Sequence, residues 1–375
     1  MRRVLLITSF LSFLNVAVFV SGGTPRPDSA GVADGAPRAA YAVAGPPDTC
    51  PFNIPVVSLA PHQVDGFKWG AVIRPMGDPC VSHIAVEPAD GKAWYVGGQN
   101  GLYMTKNNGQ TWTHPLGGMV GALVLSPGPP QLVYVGVANN LYLSRDKGKN
   151  WNVIAKFKQR VVSVLVTPNG LRVGLGWSTH AQPSGVFSSN LGGGFLTFHA
   201  FGAGHTGLIV WTLARAANDG TLYAGTEIFD HPQPYHPPFF RSTDNGITWT
   251  NVAGTLPWHV IAADVRPGDG FVYALTEGAG LFRSSNKGGT WQPPVNPAGP
   301  SVSLLMDPKM PTRLFGGRVK SGLVTGGIFV SNDAGQSFKP IGLAGVTVGG
   351  LAVNGMSTRL FAAAYASGVY VSPIP

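Results

Sequence analysis

From Val81 to Ser372 the chain alternates short apolar runs with polar turns, and the runs recur in three kinds. The first kind comprises SHIAVEP, GALVLSP, SVLVTPN, IVWTLAR, VIAADVRP, SVSLLMDP and GGLAVNG. The second kind follows after a turn, as in KAWYVGG, QLVYVGV, TLYAGTE, FVYALTE, TRLFGGR and TRLFAAAY. The third is shorter still: GLYMT, NLYLS, GVFSS, FFRS, GLFRS, GIFVS and GVYVS. Runs this brief, rich in β-branched and aromatic residues and bounded by Gly, Pro, Asn and Asp, predict strands and not helices. Read in order they are the inner, second and third strands of a repeated sheet, counted seven times.

After six of the third strands stands one motif: a small hydroxyl residue, then Asp or Asn two places on, Gly after two more and an aromatic three later. The copies are TKNNGQTW, SRDKGKNW, SSNLGGGF, STDNGITW, SSNKGGTW and SNDAGQSF, with their glycines at Gly109, Gly148, Gly192, Gly246, Gly288 and Gly335. The separations of 39, 44, 54, 42 and 47 residues match one four-stranded propeller blade. The side-chain oxygen of Asn107, Asp146, Asn190, Asp244, Asn286 and Asp333 is expected to accept backbone N–H groups two residues on and fold the turn on itself. The glycine is expected to take positive φ, and Trp112, Trp151, Phe195, Trp249, Trp291 and Phe338 to start an outer strand and pack between blades. These Asp and Asn residues therefore read as structural staples. The expected architecture is all-β, a single seven-bladed β-propeller of four-stranded blades. Its last repeat stops where a seventh motif should begin, so the strand FKWGAV from Phe67 is expected to complete the last blade and close the ring.

The six motifs resemble the Asp-box, or bacterial-neuraminidase (BNR) repeat, of sialidases, of the sortilin ectodomain and of photosystem II stability and assembly factors. The resemblance covers about residues 81–372 and speaks for fold more than for function, because the repeat occurs in hydrolases, receptors and assembly factors alike. A sialidase would imply an arginine triad, a Tyr–Glu nucleophile pair, an acidic Asp and an Arg-Ile-Pro segment. The nearest match, Ile73-Arg74-Pro75, has the order wrong, and the only glutamates are Glu87, Glu227 and Glu277. A binding role is expected in preference to catalysis. The alternatives are an extracytoplasmic assembly or stability factor for a membrane complex and a sialidase-like glycoside hydrolase.

Composition and the chain ends refine this picture. Arg2 and Arg3 followed by the apolar run Val4–Val20 read as a signal peptide over 1–22. Residues 23–49, nearly devoid of large apolar side chains, read as a disordered linker, leaving 50–375 for the propeller. A secreted or extracytoplasmic protein follows, with no membrane span apart from the signal segment. Its two cysteines, Cys50 and Cys80, are expected to form a disulfide contributing roughly 3–4 kcal/mol in the chain-entropy model. The 52 Gly and 32 Pro against 11% charged residues exclude a helical protein. The net charge of +9 favours acidic partners, but the basic residues are scattered singly, which argues against nucleic acid.

A ligand is expected on the face opposite the Asp-box turns, where the longest loop, EIFDHPQPYHPP, accounts for the 54-residue interval. It carries Glu227, Asp230, His231, Tyr235 and His236. Trp177, His180, His205, Trp258, His259, Glu277 and Arg318 are expected on the same face. Aromatic rings beside imidazoles and carboxylates suit a protein, peptide or glycan partner. The histidines could ligate a metal, yet irregularly spaced surface histidines are more often simply solvated, so no metal and no cofactor is expected. The particle is expected to be a monomer.

Overall fold

The computed structural model describes residues 62–70, 78, 80–176, 183–228, 238–277, 279–293, 299–321, 324–365 and 367–375; the expected signal segment, the linker and Cys50 lie outside the described residues. After a short hairpin, His62–Val64 with Phe67–Trp69, seven antiparallel sheets follow one another. Blades one, two, three, four and six have four strands in sequence order. Their inner strands begin at Val81, Val120, Val161, Leu208, Val260, Ser303 and Val348, counting blades five and seven. Each inner strand packs on the next, and the seventh returns to the first, so the ring is closed. Inner strands such as Val81–Val86 and Val260–Val265 are buried at every residue, which explains why they read as continuous apolar runs.

Five of the six Asp-box turns share one hydrogen-bonded latch. In blade four the Ser242 hydroxyl donates to Asp244 Oδ1 at 2.7 Å and accepts the Gly246 N–H at 2.8 Å. Asp244 Oδ1 accepts the N–H of Thr248, four residues on, at 2.9 Å. The same set recurs around Thr105, Ser144, Ser284 and Ser331. The carboxylate or amide oxygen thus reaches the fourth residue and leaves the glycine amide to the hydroxyl, in place of the two-residue span expected. Positive φ is adopted by the glycine and also by the residue before it, Asn108, Lys147, Asn245, Lys287 and Ala334.

Blade three departs from the pattern. There Asn190 Oδ1 accepts Gly192 N at 2.9 Å, positive φ moves to Gly193 and Phe195, and the Ser188 hydroxyl pairs with His199 at 2.8 Å. Phe195 is 90% exposed, so it does not pack between blades as expected. With three consecutive glycines the turn slides one residue, and the aromatic is carried outward.

Three of the turns are also held by the second strand of the blade before them. Tyr134 of blade two donates to the Leu191 carbonyl at 2.9 Å, Arg172 of blade three to the Asn245 carbonyl at 2.7 Å, and Tyr273 of blade five to the Ala334 carbonyl at 3.2 Å. All three accept at the same place in the motif, the residue before the glycine expected from the repeat. Asn245 and Ala334 are left-handed there and turn their carbonyls toward the neighbouring blade, while Leu191 offers its carbonyl without positive φ. In blade six the equivalent second-strand residue is Phe315, without a hydroxyl, and the blade that follows has no Asp-box to meet it.

The ends meet in blade seven. Gly70 N–H donates to the Val371 carbonyl and Lys68 N–H to the Ser372 hydroxyl, both at 2.9 Å, beside the third strand Gly368–Pro373. Phe67–Trp69 therefore takes the outer place of the last blade, while its ladder is with its own hairpin partner and Trp69 donates to the Ile341 carbonyl of blade six at 2.6 Å. Among the described residues blade five has three strands, with the single bridge Arg283–Gln292 at its outer place.

Two measurements test this account. Tyr273→Phe removes one hydroxyl and should lower the unfolding free energy by about 1 kcal/mol, read as a lower urea midpoint, whereas Phe315→Tyr should raise nothing because no box carbonyl faces it. Asp146 is held near 2, foremost by the Asn150 N–H. Asp244 and Asp333 are also near 2, burial pushing them up but the Thr248 and Ser337 donors outweighing it. Carboxyls depressed below their unfolded value stabilise fully above about pH 4 and lose that contribution as pH falls toward 2. Replacing all three by Asn should flatten thermal melting across that window; an unchanged acid limb would refute the latch as an ionic acceptor.

Candidate functional site

The seam between blades four and five begins with a glycine. A Cβ on Gly225, in the second strand Leu222–Ile228, would fall within 3.0 Å of the Val260 carbonyl oxygen, so bare backbone lets blade four lie flush on the inner strand of blade five. Gly136 and Gly317 face Val161 and Val348 in the same way. Alternation along a strand places residue 227 on the side of residue 225. Glu227 is thereby delivered to blade five.

His259 immediately precedes Val260–Val265 and Glu277 immediately follows Val272–Thr276. Because Val260 pairs with Thr276, the two flanking residues stand together, and Glu277 N–H donates to the His259 carbonyl at 3.0 Å. One ligating atom from each of Glu227, His259 and Glu277 lies within 4.8 Å of the others. Two of the three glutamates in the chain thus meet one histidine on the face opposite the Asp-box turns. Glu227 is 2% exposed and accepts a hydrogen bond from Trp211 Nε1. Trp211 lies in the inner strand Leu208–Arg215, where the register shifts between Val210 and Thr212.

The electrostatics of this cluster follow from its burial. Desolvation pushes Glu227 up to about 8, the Glu277 charge adding to it and the Trp211 N–H opposing. Desolvation also raises Glu277 to about 7 and lowers His259 to about 4. Among the described residues no Lys or Arg forms an ion pair with either carboxyl. The Nδ1 atom of His259 is buried without a hydrogen-bond partner. A neutral imidazole and two carboxyls without a protein cation can share protons or take a metal ion.

The remaining expected residues divide cleanly. Trp258, 44% exposed, stands beside the cluster on the surface. Arg318 stands over the Phe329 ring at 5.6 Å, and His205 packs edge-on to Phe240 at 4.9 Å; neither joins the cluster. Trp177, His180, Asp230, His231, Tyr235 and His236 lie outside the described residues. Trp211 was not legible as a site residue, its only signal being an indole in a strand of aliphatic and small residues that ends at Arg215.

The same face carries an apolar cleft of about 460 Å³ at the outer part of blade three. Phe157, Phe187, Leu196 and Phe198 line it with Lys156 and Lys158, and its described lining contains no carboxylate. Phe187 and Phe198 are cross-strand partners with ring centres 5.0 Å apart, and Leu196 and Phe198 are each 40% exposed. A larger cleft of about 680 Å³ lies on the Asp-box face between blades one and two. Its lining is charged and partly self-paired, Lys147 with Glu87 and Lys92 with Asp90, which makes it a wet groove between staples.

The model of the BNR/Asp-box repeat matches residues 240–251, the latch of blade four. No curated protein matches the chain. Among solved structures the chain is similar to YCF48 bound to a D1 peptide, with 13% identity and a TM-score of 0.55 over 84% of this chain and 100% of that one. It is similar to the extracellular domain of the one-component system BT4673 from B. thetaiotaomicron, with 12% identity and a TM-score of 0.60 over 82% of this chain and 40% of that one. It is also similar to an ancestral GH74 enzyme, with 20% identity and a TM-score of 0.54 over 70% of this chain and 38% of that one. The chain spans about two fifths of the length of the last two. Such identities bear on fold alone. With a ring of seven blades, five regular latches and the match in blade four, the chain is a β-propeller of BNR/Asp-box repeats.

Proposed function

We propose that this propeller is an exported binding module that takes a peptide segment of a protein partner on the face opposite its Asp-box turns. The observation that carries the reading is the blade-three cleft, where exposed Leu196 and Phe198 adjoin Lys156 and Lys158 with no carboxylate in the described lining. Exposed apolar side chains in a concavity mark binding sites, and the two lysines select acidic residues beside the apolar anchors. Trp258 extends the apolar surface of the same face. YCF48, which shares the fold, is known with a D1 peptide bound, and a role in assembling a membrane complex is the form of this function that such a partner would give. A disulfide between Cys50 and Cys80 would be expected of the same exported reading.

Glycoside hydrolysis is less well served by this geometry. Glu227 and Glu277 are close, but a retaining hydrolase needs one of its two carboxyls ionised as the nucleophile. Burial raises both, and Glu227 is sealed behind Trp211.

Display of random peptides against the folded chain tests the proposal. Enriched sequences should pair an aromatic or large aliphatic residue with Asp or Glu. Phe198→Ala should weaken them by about tenfold or more, as truncation of a buried anchor does. Lys156→Glu with Lys158→Glu should weaken them further and reverse the sign of their salt dependence, while Lys106→Glu on the opposite face should change nothing. Peptides that bind equally well to the Phe198 and lysine variants would overturn the assignment of this face.

A further inference from the structure

We propose that Glu227, His259 and Glu277 form a site for a single divalent transition ion, with Zn²⁺ the preferred occupant, bridging blades four and five. The site is independent of the peptide cleft. Its argument is geometric. The three ligating atoms, all within 4.8 Å of one another, come from two blades held flush at Gly225 and Val260. Tetrahedral zinc with N and O ligands at about 2.0–2.1 Å needs ligand atoms roughly 3.4 Å apart. Closing to that spacing takes side-chain rotation at both His259 and Glu277, the two half-buried members.

The surroundings fit an ion better than an ordinary polar cluster. Two like carboxyls face each other in a buried seam with no Lys or Arg ion pair among the described residues. The third member presents a buried ring nitrogen, His259 Nδ1, that has no hydrogen-bond partner. Metal-ligating side chains are oriented by outer partners, and Trp211 Nε1 donates to Glu227 in that manner. The donor set decides the metal. One imidazole with two carboxylates suits Zn²⁺ above Mn²⁺ by the Irving–Williams order, and it offers too few oxygens for Ca²⁺. Three protein ligands leave a fourth position for water.

The test uses the full mature chain stripped with a chelator. Zn²⁺ is titrated in competition with a chromophoric chelator, and Co²⁺ is added separately for its visible absorption. The expected result is one Zn²⁺ per chain, tighter than Mn²⁺ and far tighter than Ca²⁺, with an intense Co²⁺ band of the tetrahedral type. Glu277→Gln and His259→Gln should each weaken Zn²⁺ binding by about a hundredfold, and Trp211→Phe by about tenfold. Melting of each variant in excess chelator shows that it is folded, and Glu277→Gln keeps the shape of the native side chain should the histidine variant unfold. Substoichiometric Zn²⁺, a preference for Ca²⁺, or an affinity untouched by Glu277→Gln in folded protein would overturn the site. None of these outcomes bears on peptide capture at Phe198, so the two proposals fail separately.

Discussion

A serine or threonine hydroxyl that gives its proton to a carboxylate or amide oxygen and takes one from a glycine amide is the constraint on which this ring depends. It fixes a tight turn from side chains alone, without a helix or a metal. The turn then needs a left-handed residue before its glycine, and that residue exposes a carbonyl sideways. That sideways carbonyl is what Arg172 and Tyr273 hold from the preceding blade, and Tyr134 holds the matching carbonyl of the irregular turn in blade three. A local fold-back and the packing of neighbouring sheets are thus one hydrogen-bonded system, and the register of each turn decides where the next blade is gripped.

The second constraint is steric. Inner and second strands of adjacent blades approach so closely that Gly136, Gly225 and Gly317 have no space for a side chain. At blades four and five this closeness does more than pack the ring, because alternation turns Glu227 into the same seam. A buried carboxyl from one blade then faces the strand ends of the next, where His259 and Glu277 already stand opposite each other by β-pairing. Chemistry at this point is a by-product of how blades are spaced.

Much of this was legible in the sequence because the signals are periodic and local. Six spaced glycines and the hydroxyl–Asx pairs implied the ring, and strand order implied that residues 227, 259 and 277 share a face. Phe195 misled because motif matching cannot see a one-residue slide through Gly192, Gly193 and Gly194. The convergence of the two glutamates on His259 was also hidden, since it depends on the closeness imposed at Gly225 and not on any spacing along the chain. The apolar cleft was missed for a related reason: Phe157, Phe187 and Phe198 belong to two blades, and nothing local marks them as neighbours.

One seam in the ring is built differently. Between blades six and seven there is no Asp-box for Phe315 to grip, and the last blade is completed from the other end of the chain by the Gly70–Val371 main-chain bond and the Ser372 hydroxyl. A closed hoop whose joints are all alike has no preferred place to part. This one has a clasp, and its undoing parts the last blade from the Phe67–Trp69 strand while the joints gripped by Tyr134, Arg172 and Tyr273 hold.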